Sequence, residues 1–149
     1  MRFVSIACLL ATMSGVASAA EHIGSDGNWV FERTAGVRTA AHISTNAELR
    51  VTCPDPGAAG AYSVYAHSQS VAIEGLTEFA FDTGDILALP LDGGRFEVMS
   101  AGSGAVFEQF IMLLKQASVV AILKEGRSVT SFSLNGAAEM IGACPVQGL

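Results

Sequence analysis

Two short stretches constrain this chain more than any other feature: "AELRVTC", ending at Cys53, and "AAEMIGAC", ending at Cys144. In the first, Ala47, Leu49, Val51 and Cys53 alternate with Glu48, Arg50 and Thr52, so a strand there turns Cys53 toward the core. In the second, Ala137, Met140, Ile141 and Cys144 follow the i, i+3, i+4, i+7 spacing of one helix face, which turns Cys144 inward as well. Two inward cysteines on separate elements can meet. Linking them closes a long loop, worth about 4–5 kcal/mol in the chain-entropy account. The alternative is two unpaired buried thiols, and the compartment bears on the choice.

The first residues read as an address. Arg2 is a minimal positive start, residues 3–13 are apolar, and Ala17-Ser18-Ala19 supplies the small-x-small pattern of a cleavage site. A membrane anchor fits less well, because the apolar run falls short of the ~20 residues a span needs and Ser14 and Gly15 interrupt it. A secretory signal is expected over residues 1–19, cut after Ala19 or after Ala20. Cys8 lies inside the apolar run and leaves with it. Cys53 and Cys144 then form an even pair in an exported chain, which favours the disulfide. The expected location is periplasmic or secreted.

What remains is one domain by size, long enough to bury a real core. No other segment is suited to span a bilayer. The formal net charge is −6, and Lys and Arg are scattered singly, which argues against nucleic acid and anionic lipid as partners. The acidic balance is first of all a solubility device, and attraction to a cationic partner is the lesser reading.

Residues 20–28 are polar and Gly-containing and are expected to fray, leaving a globular domain over 29–149. Trp29, Phe31 and Arg33 alternate with Val30 and Glu32. Val37, Thr39, Ala41 and Ile43 share a face opposite Arg38, Ala40 and His42. "PDPGAAG" is a loop. "AYSVYAHSQSVAIEG" reads as one long strand or two short ones, with Tyr62, Val64 and Ala66 inward. "EFAFD" turns Phe79 and Phe81 inward. "ILALPLDGGRFEVMS" predicts a hairpin with Asp92-Gly93 at its turn, and Pro90, lacking an N–H, makes the first arm an edge strand or kinks it there. Residues 100–104 are small and read as a flexible link. "VFEQFIMLLKQA" then places Phe107, Phe110, Ile111 and Leu114 on one helical stripe. A second hairpin turns at Glu125-Gly126. In "SFSLNGAAEM", Phe132 and Leu134 point inward, Gly136 begins a short helix, and Glu139 is placed to reach back as in a capping box. The expected fold is α+β: a β-rich antiparallel sheet or sandwich, two helices in the C-terminal half, and one disulfide.

Motifs for chemistry are sparse. His22, His42 and His67 lack the spacing of a metal site, and each reads as a surface histidine. "FDTGD" offers Asp82 and Asp85 near a glycine, with too few oxygen ligands for calcium, so turn chemistry explains it better. Glu78 and Asp82 flank an alternating strand, the normal solvent face. Ser103 has flanking glycines but not the G-x-S-x-G spacing of a nucleophile elbow. No cofactor, metal or catalytic residue is expected, and an enzyme is not the leading reading.

The Trp29-Val30 opening, "LRVTC", "LDGG", "FEQFIMLLKQASVVAI" and "FSLNGAAEMIGAC" resemble the invasion-associated locus B family over most of residues 29–144. The "LRVTC … helix … FSLNG … AC" skeleton is also similar to VasI-type periplasmic accessory proteins of type VI secretion. This chain lacks a cysteine after Trp29-Val30 and a lipid-attachment cysteine. Either resemblance implies an exported, non-catalytic accessory protein that binds another envelope protein, and neither implies an active site. An alternative is an inhibitor of a secreted hydrolase such as lysozyme, with Ser100, Gly102, Ser103 and Gly104 as its inserted loop. A small hydrolase without a recognisable motif is the third reading.

Overall fold

The computed structural model describes residues 25–26 and 29–147. The expected signal segment, Cys8 and His22 lie outside them. Ten strands and two helices follow in order: β1 (Ser25–Asp26), β2 (Trp29–Thr34), β3 (Val37–Ile43), β4 (Ala47–Pro54), β5 (Ser63–Ser68), β6 (Gly75–Phe81), β7 (Ile86–Leu91), β8 (Arg95–Glu97), α1 (Ala101–Gln116), β9 (Val119–Lys124), β10 (Arg127–Ser133) and α2 (Ala137–Ile141). They build two antiparallel sheets, β1-β2-β3-β4-β5-β8 and β10-β9-β6-β7. The α+β reading with two late helices and one disulfide holds. Ser25–Asp26 pairs with Val30 and Trp29 of β2, and the rest of the expected flexible stretch 20–28 lies outside the described residues.

Alternation decides which faces meet. In the first sheet Ala47, Leu49, Val51 and Cys53 are all buried, as the pattern requires, beside Val64 and Ala66 of β5. In the second, Phe79 and Phe81 face Ile122 and Val120 of β9 and the inner side of β7. Helix α1 packs its Phe107, Phe110, Ile111 and Leu114 stripe into the shared core. Phe110 meets Phe79 and Phe81 edge-on at 5.0 and 6.0 Å, and Phe107 meets Tyr62 at 5.7 Å. Residues from both sheets and the helix thus form one core cluster.

Local chemistry moved several boundaries. Residues 100–104 are not a link. Ser100 caps α1: its hydroxyl accepts from the Ser103 N–H, and the Ser103 hydroxyl accepts from the Ser100 N–H, a reciprocal box that starts the helix at Ala101. The hairpin after β7 turns one residue later than expected. Asp92 and Arg95 exchange backbone hydrogen bonds of 2.8 and 2.9 Å around Gly93 and Gly94, with φ of 55° and 79°. Those positive angles suit a two-glycine turn. A Cβ on Gly94 would also lie 2.6 Å from the carbonyl oxygen of Ala66. The arms of this hairpin part company, β7 joining one sheet and β8 the other, so the turn is the corner between the sheets. The Glu125–Gly126 turn and the edge position of β7 hold as read.

At the C-terminal end, Gly136 adopts φ 84° and starts α2, but no side chain caps that helix, so Glu139 does not reach back. A left-handed glycine already redirects the chain there. Helix α2 stops at Ile141, and Gly142 (φ 58°) leads the chain out of it. Cys144 therefore lies beyond the helix rather than on its face, yet it is buried and bonded to Cys53 with Cα atoms 5.7 Å apart.

Candidate interaction surface

The molecule has a closed side and an open one. The closed side runs from β2 and β3 to α2. The Cys53–Cys144 bond ties the end of β4 to the tail, across 91 residues of sequence. Arg33 pairs with Asp55 Oδ2, and Arg38 Nε lies 3.0 Å from Asp55 Oδ1, an ion-pair distance without hydrogen-bond alignment. The Lys115 ammonium donates to the carbonyl oxygen of Gly142, just past α2. Burial, and secondarily the Arg38 charge, hold that ammonium below the usual lysine range. Trp29 Nε1 donates to the Ser133 carbonyl at 2.8 Å, binding the two sheets together.

His42 belongs to this side, and its surface assignment is corrected. It is only 4% exposed, set edge-on between the Trp29 ring at 5.7 Å and the Phe132 ring at 5.3 Å. Across the ladder its neighbours are Trp29 and Leu49. The face of β3 carrying Arg38, Ala40 and His42 is the inner one, which leaves Ile43 52% exposed. Burial pushes the His42 imidazole below its ordinary pKa, and its Nδ1 has no partner among the described residues. Sequence reading missed it because a histidine alternating with Arg and Ala looks polar until its cross-strand neighbours are known.

The outer face of the first sheet is polar and self-engaged. Arg50 pairs with Glu48 and lies 5.8 Å over the Tyr65 ring, which stacks in parallel with His67 at 6.5 Å. Arg95 pairs with Glu97 at 3.4 Å.

The second sheet is dressed differently. Its outward residues are Leu76, Glu78 and Ala80 on β6, Ile86, Ala88 and Pro90 on β7, Val119, Ala121 and Leu123 on β9, and the polar Ser131 and Ser133 on β10. Leu76 is 76% exposed and Ile86 61%. Glu78 stands in the middle, level with Ala88 on one side and Leu123 on the other. Residues 68–94 contain five carboxylates (Glu74, Glu78, Asp82, Asp85 and Asp92) and no Lys or Arg. None of the five is in an ion pair among the described residues.

Strand β7 is the edge of this sheet. The Phe81 N–H donates to the Asp85 carbonyl, which sets the alternation of the ladder: Leu87, Leu89 and Leu91 exchange bonds with β6. The backbone groups of Ile86, Ala88 and Pro90 then point away from β6. Pro90 thus costs the ladder no bond, and the missing N–H falls on the outward edge. A groove of about 520 Å³ adjoins this end, lined by Pro90, Asp92, Arg95, Glu97, Met99 and Ser103 among others.

Of the residues singled out from sequence, Cys53 and Cys144 come together as a bond. Ser100, Gly102, Ser103 and Gly104 form the capped first turn of α1 rather than a loop, and only Ser100 and Ser103 border the groove. Asp82 and Asp85 hold the β6–β7 turn: Asp82 Oδ1 accepts from the Ser118 N–H, and Asp85 Oδ2 from the Thr83 hydroxyl. No group of three His, Cys, Asp or Glu side chains suited to a metal ion occurs among the described residues. No described helix is long and apolar enough to cross a membrane. The sequence matches the YfjT family over residues 27–141, most of its length, and the chain belongs to that family. No curated protein and no solved structure matches it.

Proposed function

We propose that this member of the YfjT family is an exported, non-catalytic accessory module of the cell envelope that works by binding another envelope protein. The observation that carries the reading is the outer face of the second sheet. Leu76, Ile86 and Val119 stand exposed there, with Glu78 between Leu76 and Ile86, beside a strand edge that no described strand pairs. Contiguous apolar surface rimmed by charge is typical of protein contacts. The disulfide supports an oxidising compartment. The resemblance to invasion-associated locus B and VasI-type proteins points the same way.

Photo-crosslinkable residues placed at Ile86 and at Tyr65, followed by cell fractionation, test it. The expected result is a processed protein outside the cytoplasm, with a discrete adduct to one envelope protein. A cytoplasmic, uncleaved protein without an adduct from either position would overturn the reading. The hydrolase-inhibitor reading retains one supporting observation, the cation-free acidic segment 68–94. Titrating the protein into a lysozyme assay decides it: stoichiometric loss of activity would replace the accessory reading with this one.

A further inference from the structure

The open edge of β7 combines three features that seldom coincide on an unbound surface. Its outward backbone groups, on Ile86, Ala88 and Pro90, have no strand beside them among the described residues. Its outward side chains are apolar, without the lysine that commonly guards an exposed edge. Around it lie Glu78, Asp82, Asp85 and Asp92, with no cation from residue 68 to residue 94. Four of the chain's carboxylates are thus gathered around one ribbon in a protein of formal net charge −6. Pro90 removes one edge donor and so limits pairing to the Ile86–Ala88 stretch. Beyond Pro90 the edge runs into the 520 Å³ groove, where Asp92 is unpaired among the described residues while Glu97 is already paired with Arg95, so the cation-free stretch ends at Gly94.

We propose that β7 takes up an extended, cationic segment of a partner polypeptide as an added strand. Main-chain bonds would form to Ile86 and Ala88, and Lys or Arg at alternate positions would face Glu78 and the carboxylates at either end. The proposal rests on the binding-module reading above and names the partner's chemistry. A second copy of this chain fits worse. Pairing β7 with itself would bring Asp85 and Asp92 of each copy toward the same carboxylates of the other, and like charges across a pair are unfavourable. Anionic lipid and nucleic acid are repelled by the same charge.

The test uses the full mature protein with its disulfide intact and a displayed library of random peptides about twelve residues long, enough to cover a strand and its flanks. Enriched peptides should alternate Lys or Arg with β-branched or aromatic residues. They should slow hydrogen exchange at the Ile86 and Ala88 amides, and they should weaken with salt. Ala88→Pro, which deletes an edge-facing N–H, and E78Q should each weaken binding, the first by about tenfold or more, equivalent to a lost main-chain bond. If Ala88→Pro does not fold, the exchange measurement on the native protein decides. Enrichment without cationic bias, binding that survives a folded Ala88→Pro variant, or a free protein already dimeric with protected Ile86 and Ala88 amides would each overturn the proposal. Peptides that protect Tyr65 on the first sheet instead would sink the β7 site while leaving the binding-module reading standing.

Discussion

The closed and open sides of this molecule are built from the same kind of antiparallel ribbon, yet almost nothing else about them agrees. Around β2, β3 and α2, a disulfide, the Arg33–Asp55–Arg38 cluster, the Lys115–Gly142 contact and the Trp29–His42–Phe132 stack all cross between elements distant in sequence. Around β6 and β7 the ribbon is held by its own ladder, by β9, and by the burial of one face. The difference separates two tasks in space. Cross-links restrict the unfolded chain and fix the end of the fold, whereas an edge left with unpaired backbone groups keeps its capacity to bond something else. Substitutions on the closed side should therefore change stability, and those on the open edge should change binding.

The largest effect expected is from Cys144→Ser. Removing the bond that closes the 91-residue separation should cost about 4–5 kcal/mol in the chain-entropy account. Urea denaturation measures it, with Cys53→Ser and the double variant giving nearly the same loss, since each breaks one link. Amide exchange should loosen first in α2 and leave β6–β7 protected. Free-thiol titration of the denatured, unreduced protein should find neither Cys53 nor Cys144 reactive.

Next comes Phe110→Ala, which belongs to neither side because it fills the core between them. Fully buried against Phe79 and Phe81, it should cost about 3–5 kcal/mol. If the loss is well below that by chemical denaturation, α1 does not clamp the two sheets.

A pair of proline variants sharpens the comparison within β7. The Leu89 N–H faces β6 and its side chain is fully buried, so Leu89→Pro should cost on the order of 3 kcal/mol or more. The Ala88 N–H faces outward, so Ala88→Pro should stay within about 1 kcal/mol of the native protein. Equal losses in thermal melts would mean the ladder alternates the other way and the edge donors are misassigned.

A pH effect should appear on the closed side. His42 is held below its ordinary value of 6.5 by burial, so the unfolded chain takes up that proton first as pH falls. The stability present above pH 6.5 is then lost progressively as pH drops through that value toward the depressed folded one. In His42→Phe the slope between neutral and mildly acidic pH should flatten, as read from urea midpoints at each pH. An unchanged slope would mean His42 does not titrate on unfolding. The smallest effect is E78Q, within about 0.5 kcal/mol of the native stability, even though it sits at the centre of the proposed contact.

Much of the fold was legible because side-chain period and element type are local properties. The face of β4 ending at Cys53, the Phe107–Phe110–Ile111–Leu114 stripe and the Glu125–Gly126 turn depend on residues a few positions apart. Where the reading failed, a local rule had competitors of similar strength. Ser100 and Ser103 could be linker or cap, and the reciprocal hydroxyl bonds settled it in favour of a helix. Glu139 had the right spacing to cap α2, yet no side chain caps it, and Gly136 lies instead in a backbone turn in which the Ala137 N–H donates to the Leu134 carbonyl. The candidate surface was the least legible part, since alternation names two faces of a strand without saying which neighbour covers either.

By itself, the sequence determined the inward phase of Cys53, the apolar stripe of α1, the carboxylate-only stretch 68–94 and a proline that calls for a sheet edge or a kink. Tertiary structure alone decided that β7 and β8 part at Gly93–Gly94 into different sheets, that His42 is wedged between Trp29 and Phe132, and that Cys144 is buried beyond its helix. The physical reason is range. Period, charge and turn preference act over a few bonds, whereas the identity of a cross-sheet neighbour, 104 residues away for Trp29 and Ser133, is set only when the whole core closes around it.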